Sequence, residues 1–324
     1  MNIDFKHTIS FLMKHDCFTI LCHVNPDGDT LGSGYALCGA LHLMGKYARV
    51  ICDDEPSERF EFLKDAVNPD LTRFPKNAAE TVVAVDIADR QLFGGLREKY
   101  PDIQLCIDHH ISNSGYAVYT LLDPKAAACA EVVWELIMEM EDVVGIPLAN
   151  AEIAAAIYTG ISTDTGCFKY ANTTTFSHIF AAEAMGYGFD VANINYIMFE
   201  MKTKERVLLE QRTISNLEYH FGHKCALVVL DADMLEGVDP EDASNVSAIP
   251  KQIQGVEVGV VIKSKLDTEE ETWKISVRTG GNINAQTICS KLGGGGHIRA
   301  AGCLMTGGID MVKAKVLAEI EKQM

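Results

Sequence analysis

The chain has 324 residues, 48% of them apolar, which is enough to bury a sizeable core and suggests two domains rather than one. Its 45 acidic against 28 basic residues give a net charge of −17, which argues against gripping long nucleic acid by phosphate neutralisation and leaves short or mononucleotide substrates easier to accommodate. There is no apolar run of about eighteen residues and no basic-then-apolar start, and the ten cysteines form no CxxC pair, so the expectation is a cytoplasmic protein with reduced core thiols and no membrane partner.

Strand and helix signals alternate through the first half. Residues 18–24 read as a strand, 31–44 carry helical apolar spacing, 49–52 are a short strand, and Thr81–Val85 and 104–107 are apolar strands bounded by polar loops. This alternation predicts an α/β domain, a largely parallel sheet with flanking helices. Residues 126–140, 152–163 and 174–185 read as helices that close the domain, and 186–190 as a break. The proline-free stretch 191–221 reads as a long connecting helix. A second, smaller α/β pattern follows, with strands at Cys225–Leu230, 256–263 and 273–277 and helices at 284–292 and 310–322. The expected organisation is a first domain over 1–190, a helical linker over 191–222 and a second domain over 223–324.

The chemistry-bearing residues fall at the ends of these elements. CHVNPDGDTLGS carries the first strand into His23, Asp27 and Asp29; VVAVDIAD brings Asp86 and Asp89; LCIDHH brings Asp108, His109 and His110; YTGISTDTGCF brings Asp164. Singly, each has an ordinary reading: Asp27 as a turn residue, Asp89 as a helix N-cap, a lone histidine as a hydrogen-bonded structural residue. Together they collect at the carboxyl ends of strands, where an α/β sheet binds ligands. Carboxylates gathered there repel one another, and a bound divalent cation relieves that repulsion. Oxygen and imidazole donors without thiolates suit Mn²⁺, Mg²⁺ or Zn²⁺.

Farther along, GGGGHIRAAG contains Gly294, Gly295, Gly296, His297 and Arg299. Consecutive glycines let backbone amides turn toward an anion, beside a helix expected to open at Ile298. The histidine after them and the close-packing Ala300-Ala301-Gly302 argue against a plain linker. Arg278, ending WKISVR, is the candidate for a two-point phosphate contact, whereas Arg299 also suits a solvent-facing position.

In this combination HVNPDGD, VDIAD, the Asp108-His109-His110 triplet and GISTDTG resemble the DHH phosphoesterases, and GGGGHIRAAG resembles the DHHA1 domain of that family. The resemblance implies a hydrolase of phosphoester bonds with two divalent cations, Mn²⁺ first, Mg²⁺ or Co²⁺ as alternatives. His23 and Asp27 would hold one cation and Asp29, His109 and Asp164 the other, with Asp86 as the bridge. Asp108 would orient a histidine or serve as a structural acid. His110 would face substrate, stabilising phosphoryl charge or protonating the leaving group. Arg278, Gly294, Gly295, Gly296, His297 and Arg299 would bind substrate. Among the family's branches, length and domain order are most similar to bacterial enzymes that degrade very short RNA oligonucleotides and dephosphorylate 3′-phosphoadenosine 5′-phosphate. A phosphodiesterase of cyclic or linear signalling dinucleotides is the nearest alternative, and a non-catalytic nucleotide sensor the alternative of another class. A homodimer is compatible with the sequence, which identifies no interface.

Overall fold

Five short strands, β1 (Cys17–Leu21), β2 (Tyr47–Ile51), β3 (Thr81–Val85), β4 (Leu105–Asp108) and β5 (Tyr119–Leu122), form a wholly parallel sheet in the order β2-β1-β3-β4-β5. β1, β3 and β4 are buried at every residue, as strands covered on both faces must be, and so they read as continuous apolar runs. Strand order reverses between β1 and β3, which opens a crevice beyond their carboxyl ends. These strands belong to the first of two compact units, Met1–Met201 and Lys202–Met324, in a computed structural model that describes residues 1–238, 240–265 and 270–324.

The helices of the first unit are α1 (Phe5–Met13), α2 (Gly28–Leu43), the single turn α3 (Leu96–Lys99), α4 (Cys129–Val144), α5 (Ala151–Asp164), α6 (Thr175–Met185) and α7 (Val191–Asn195). One face of the sheet packs Phe18, Ile20, Val83, Val85 and Ile107 against α2, α4 and α5. The other face lies under α3 and the 3₁₀ turn Arg90–Phe93, through Phe93, Leu96 and Tyr100. In α2, fourteen of sixteen residues are buried. Its glycines make this possible: a Cβ on Gly32 would stand 2.4 Å from the Ala156 carbonyl oxygen, and one on Gly160 in α5 would stand 2.5 Å from Ala130 Cβ. Each glycine costs about 1 kcal/mol of helix propensity relative to alanine. In exchange the starts of α2 and α4 and the end of α5 come within reach of one another.

The expected continuous helix over 191–221 is divided. α7 runs into a π turn, Tyr196–Glu200, and Met201 is extended. Thr203 then caps α8 (Lys204–Ser215), its hydroxyl accepting from the Arg206 amide. A threonine N-cap satisfies one of the free amides at a helix start and so marks where a new helix begins.

In the second unit β6 (Glu218–His220), β7 (Cys225–Leu230), β8 (Val258–Ser264), β9 (Thr272–Thr279), β10 (Gly295–Gly296) and β11 (Ala300–Thr306) form a mixed sheet in the order β10-β11-β9-β8-β7-β6, parallel only at β7 and β8. Its short helices are α9 (Ala232–Leu235) and α10 (Pro240–Asn245). α11 (Ala285–Lys291) and α12 (Ile309–Glu321) cover one face through Ile288, Val312 and Val316, while Leu209 of α8 packs with Val228 and Val261 on the other. The helix expected to open at Ile298 is a strand instead. Ala300–Thr306 pairs residue by residue with β9, and Gly295 and Gly296 pair with Gly302 and Ala301 as one arm of a hairpin. The bonds that would begin a helix are spent on the turn, where the His297 amide donates to the Ala300 carbonyl at 2.7 Å.

All ten cysteines are free. Among the described residues no helix is long and apolar enough to cross a membrane.

Candidate metal centre

His23 leaves β1 with its Nδ1 2.8 Å from the Val24 carbonyl oxygen, which turns Nε2 toward Asp27 Oδ1 at 3.6 Å and Asp86 Oδ2 at 3.7 Å. His109, just past β4, is held in the same way. Its Nδ1 is 3.1 Å from the Ala126 carbonyl oxygen, and its Nε2 faces Asp86 Oδ1 at 3.4 Å, Asp29 Oδ2 at 3.8 Å and Asp164 Oδ2 at 3.9 Å. A carbonyl accepting from Nδ1–H selects the tautomer with a free lone pair at Nε2, the form that ligates a metal.

Asp86 therefore turns one carboxylate oxygen to each imidazole. It is 4% exposed and adopts a left-handed backbone, φ +59°, directly after β3. Non-glycine residues in that region carry strain that tends to persist at functional sites. Among the described residues its buried Oδ1 has no hydrogen-bond donor. An orphaned, buried carboxylate oxygen is costly, and a cation is the partner its acceptor-rich surroundings suit. Among the described residues the donor atoms form three sets, each within 4.8 Å: His23, Asp27 and Asp86; Asp29, His109 and Asp164; Asp86, His109 and His110. The donors are carboxylate oxygens and imidazole nitrogens, which fit divalent cations. Thiols stand aside, since Cys22 and Cys129 donate to the Thr30 and Ile107 carbonyls.

Local structure explains how the carboxylates are held. Asp27 is the N-cap of α2, its Oδ1 accepting from the Asp29 and Thr30 amides at 3.0 and 3.1 Å, so the turn role and a place in the cluster coexist. Asp29 accepts from the Cys129 and Ala130 amides at 2.6 and 2.8 Å and from Ser33 Oγ at 3.3 Å. It thus caps α4, whose own N-cap residue, Ala128, offers no side-chain acceptor. Asp164 closes α5, and Asn172 Nδ2 donates to both its carbonyl and that of Ala127 at 3.1 Å. Asp89 lies outside the cluster and caps the turn Arg90–Phe93.

Asp108 is fully buried. Its Oδ1 accepts from the His109 amide, the His110 amide and His110 Nδ1 at 2.8, 3.2 and 2.8 Å, and its Oδ2 accepts from Asn113 Nδ2 at 2.6 Å. His110 is consequently oriented opposite to its neighbour, with Nδ1 turned to Asp108 at 2.8 Å and Asp86 at 3.5 Å. Asp108 thus bonds His110 through both its amide and its Nδ1.

The charges act strongly on one another. Burial by itself would lower His23, but Asp27 and Asp86 outweigh it and hold the ring up to about 11; for His109 burial is likewise outweighed, by Asp86 and Asp29, which hold it at about 10. Burial raises Asp29, helped by Asp86 and Asp164. It also raises Asp164 to about 6, against the pull of His109 and with Asp86 and Asp27 adding to it. Burial pushes Asp108 up too, but the His110 and Asn113 bonds outweigh it and leave the carboxyl below its ordinary value. Asp108 in turn raises His110. Perturbed groups concentrated in one place mark a functional site.

The predicted residues of the second unit are near one another and apart from this cluster in sequence. Arg278 is half-buried on β9, opposite Ala300 in register, and donates weakly from Nη1 to the Val277 carbonyl at 3.3 Å. Arg299 is exposed and donates to the Gly281 carbonyl at 2.6 Å. Gly294 donates its amide to the Cys289 carbonyl, Gly295 and Gly296 form β10, and His297 is exposed at the hairpin. Ser33, Asn113 and Asn172 were missed from the sequence. Ser33 had a signal, since it lies one helical turn after Asp29; the asparagines sit in loops without a pattern.

Residues 17–161 match the DHH family, N-terminal domain, and residues 225–324 match the DHHA1 domain. A Thermus thermophilus protein named as a bifunctional oligoribonuclease and PAP phosphatase is 33% identical over 94% of this chain and 89% of its own length. Of solved structures, an exopolyphosphatase-related protein from Bacteroides fragilis shares the fold with a TM-score of 0.84 at 22% identity, over 98% of this chain and 95% of that one. Exonuclease RecJ bound to manganese does so at 0.55 and 14% identity, over 97% and 93%.

Proposed function

Because the chain belongs to the DHH family and continues into a DHHA1 domain, we propose that it is a hydrolase of phosphoester bonds that degrades short oligoribonucleotides to mononucleotides and removes the 3′-phosphate of 3′-phosphoadenosine 5′-phosphate. One observation carries the chemistry: Asp86 offers its two oxygens to two imidazoles, each set among further carboxylates. The substrate class rests on the likeness to the Thermus relative, which extends along nearly all of both chains. A net charge of −17 also favours small substrates over long ones.

In this reading His23, Asp27 and Asp86 hold one divalent cation and Asp29, His109, Asp164 and Asp86 the other, with Mn²⁺ preferred over Mg²⁺ or Co²⁺. When bound, such a pair supplies Lewis acidity for the phosphoryl oxygens and a water nucleophile near neutral pH. Water gives up one proton to solvent as its oxygen bonds to phosphorus, the P–O ester bond breaks, and the departing oxygen takes a proton. His110, whose hold on a proton Asp108 strengthens, is the residue set to give that proton from Nε2, or to hold the phosphoryl charge by a hydrogen bond. Arg278 grips a non-reacting phosphate with its planar fork, assisted by the glycine hairpin and His297.

The test is competition. Protein loaded with Mn²⁺ is given an equimolar mixture of an RNA dinucleotide, an RNA 24-mer, 3′-phosphoadenosine 5′-phosphate, cyclic di-AMP and pyrophosphate, and each is followed by chromatography. Rapid loss of the dinucleotide and the bisphosphate with slow loss of the 24-mer is expected. Selective loss of cyclic di-AMP or pyrophosphate would overturn the substrate assignment, and no turnover at all would overturn the enzyme.

A further inference from the structure

The segment that leads into α4 is tied to three donors of the metal centre. The Ala126 carbonyl holds His109 Nδ1, and the Cys129 and Ala130 amides meet Asp29. The Ala127 carbonyl accepts from Asn172, whose Nδ2 also reaches the Asp164 carbonyl. Asp29, His109 and Asp164 form one donor set. The segment has little of its own to hold it in place. Four of residues 126–130 are alanines, and Cys129 makes a thiol contact to the Ile107 carbonyl at 3.3 Å. The N-cap, Ala128, offers no side-chain acceptor.

Glu131 supplies what the alanines lack. It stands at the third position of α4, is 2% exposed, and accepts at Oε2 from the Ala127 amide at 3.0 Å. A carboxylate there that reaches back to the chain ahead of the helix is one half of a capping box. The other half comes from Asp29, a hundred residues away in sequence, which takes the next free amides. Two acids therefore clamp one short segment, and Glu131 itself stands outside the donor sets. Its other oxygen, Oε1, is buried and makes no hydrogen bond among the described residues. Burial raises the carboxyl above its ordinary value, against the nearby Ser177 hydroxyl and the Ala127 amide. An acid in such surroundings costs stability that an apolar side chain of similar size would not. What it adds, and an apolar residue cannot, is the bond to Ala127.

We infer that Glu131 is a positioning residue for the cation held by Asp29, His109 and Asp164, acting through the segment 126–130. The inference deepens the function proposed above and rests on its two-cation reading. Without the Ala127 bond the segment shifts, the carbonyl that selects the His109 tautomer moves with it, and Asp29 loses the amides that orient it. His23 and Asp27 are held instead by the Val24 carbonyl and the first amides of α2.

Mn²⁺ is titrated into the full-length protein and bound ion is counted by electron paramagnetic resonance, in His23→Ala and in His109→Ala, each with and without Glu131→Ala. The first background leaves the Asp29, His109 and Asp164 set to be read, and the second leaves the His23 and Asp27 set. Glu131→Ala is expected to weaken binding about ten- to a hundredfold in the first and less than about twofold in the second. Glu131→Gln, whose side-chain oxygen can still accept from the Ala127 amide, should stay within about threefold in both. Excess Mn²⁺ should restore dinucleotide turnover to the Glu131→Ala single variant. Circular dichroism checks folding, and if Glu131→Ala does not fold, Glu131→Asp, one methylene too short to reach Ala127, takes its place. Equal weakening in both backgrounds, or in neither, would overturn the inference, as would Glu131→Gln binding as weakly as Glu131→Ala. Selective loss in a protein that cleaves no phosphoester would sustain the positioning role and refute the hydrolase; RNA turnover without selective loss would refute the positioning role alone.

Discussion

Among the described residues Arg278 makes one long hydrogen bond, to its own strand, which leaves most of its guanidinium donors for a ligand. A charge-assisted contact to phosphate contributes roughly 1.5–3 kcal/mol. Arg278→Ala should therefore raise KM for short oligoribonucleotides by about ten- to a hundredfold with kcat and metal content little changed. Steady-state kinetics beside metal analysis decides it, and a drop in metal content at constant KM would make Arg278 structural. At the same scale His109 and His110 show why neighbours with identical side chains take different parts. A main-chain carbonyl holds Nδ1 of the first and a buried carboxylate holds Nδ1 of the second, so the first turns Nε2 to the acids and the second turns Nδ1 to them.

Among elements, the decisive packing is α2 against α5 and α4, where glycines replace side chains. A Cβ on Gly160 would stand 2.5 Å from Ala130 Cβ and 3.0 Å from Asp29 Oδ1. Gly160→Ala, although it favours helix by about 1 kcal/mol, should destabilise the first unit by roughly 1–3 kcal/mol through overpacking and weaken metal binding by displacing Asp29. Chemical denaturation with metal titration would show both, and a variant as stable and as well loaded as wild type would refute this packing account. The strands β1, β3 and β4 were legible in the sequence because full burial writes them as unbroken apolar runs, and the acids at their ends were legible because a turn follows each strand. Asp29 capping α4 was not, since its partner amides are about a hundred residues away. The strand β11 was hidden by its opening Ala300-Ala301-Gly302, which carries no alternation, and the break at Met201 by the lack of proline or glycine in that stretch.

For the whole molecule, the distribution of charge matters more than its total. The first unit gathers Asp27, Asp29, Asp86 and Asp164 around two histidines, while the second keeps Lys263, Lys274 and Arg278 on one sheet face. The acids and imidazoles of the first unit suit cations, and the lysines and arginine of the second suit phosphates, as a phosphoesterase requires. Asp86, which turns one oxygen to each imidazole, would join two divalent cations at one centre. The most direct measurement is metal content after loading with Mn²⁺ and removal of free ion, in wild type and Asp86→Ala, with circular dichroism to show that both are folded. Two ions per chain in wild type, falling to one or fewer in the variant together with loss of turnover, is the predicted result; a single ion in wild type, or two retained in a folded Asp86→Ala, would contradict it.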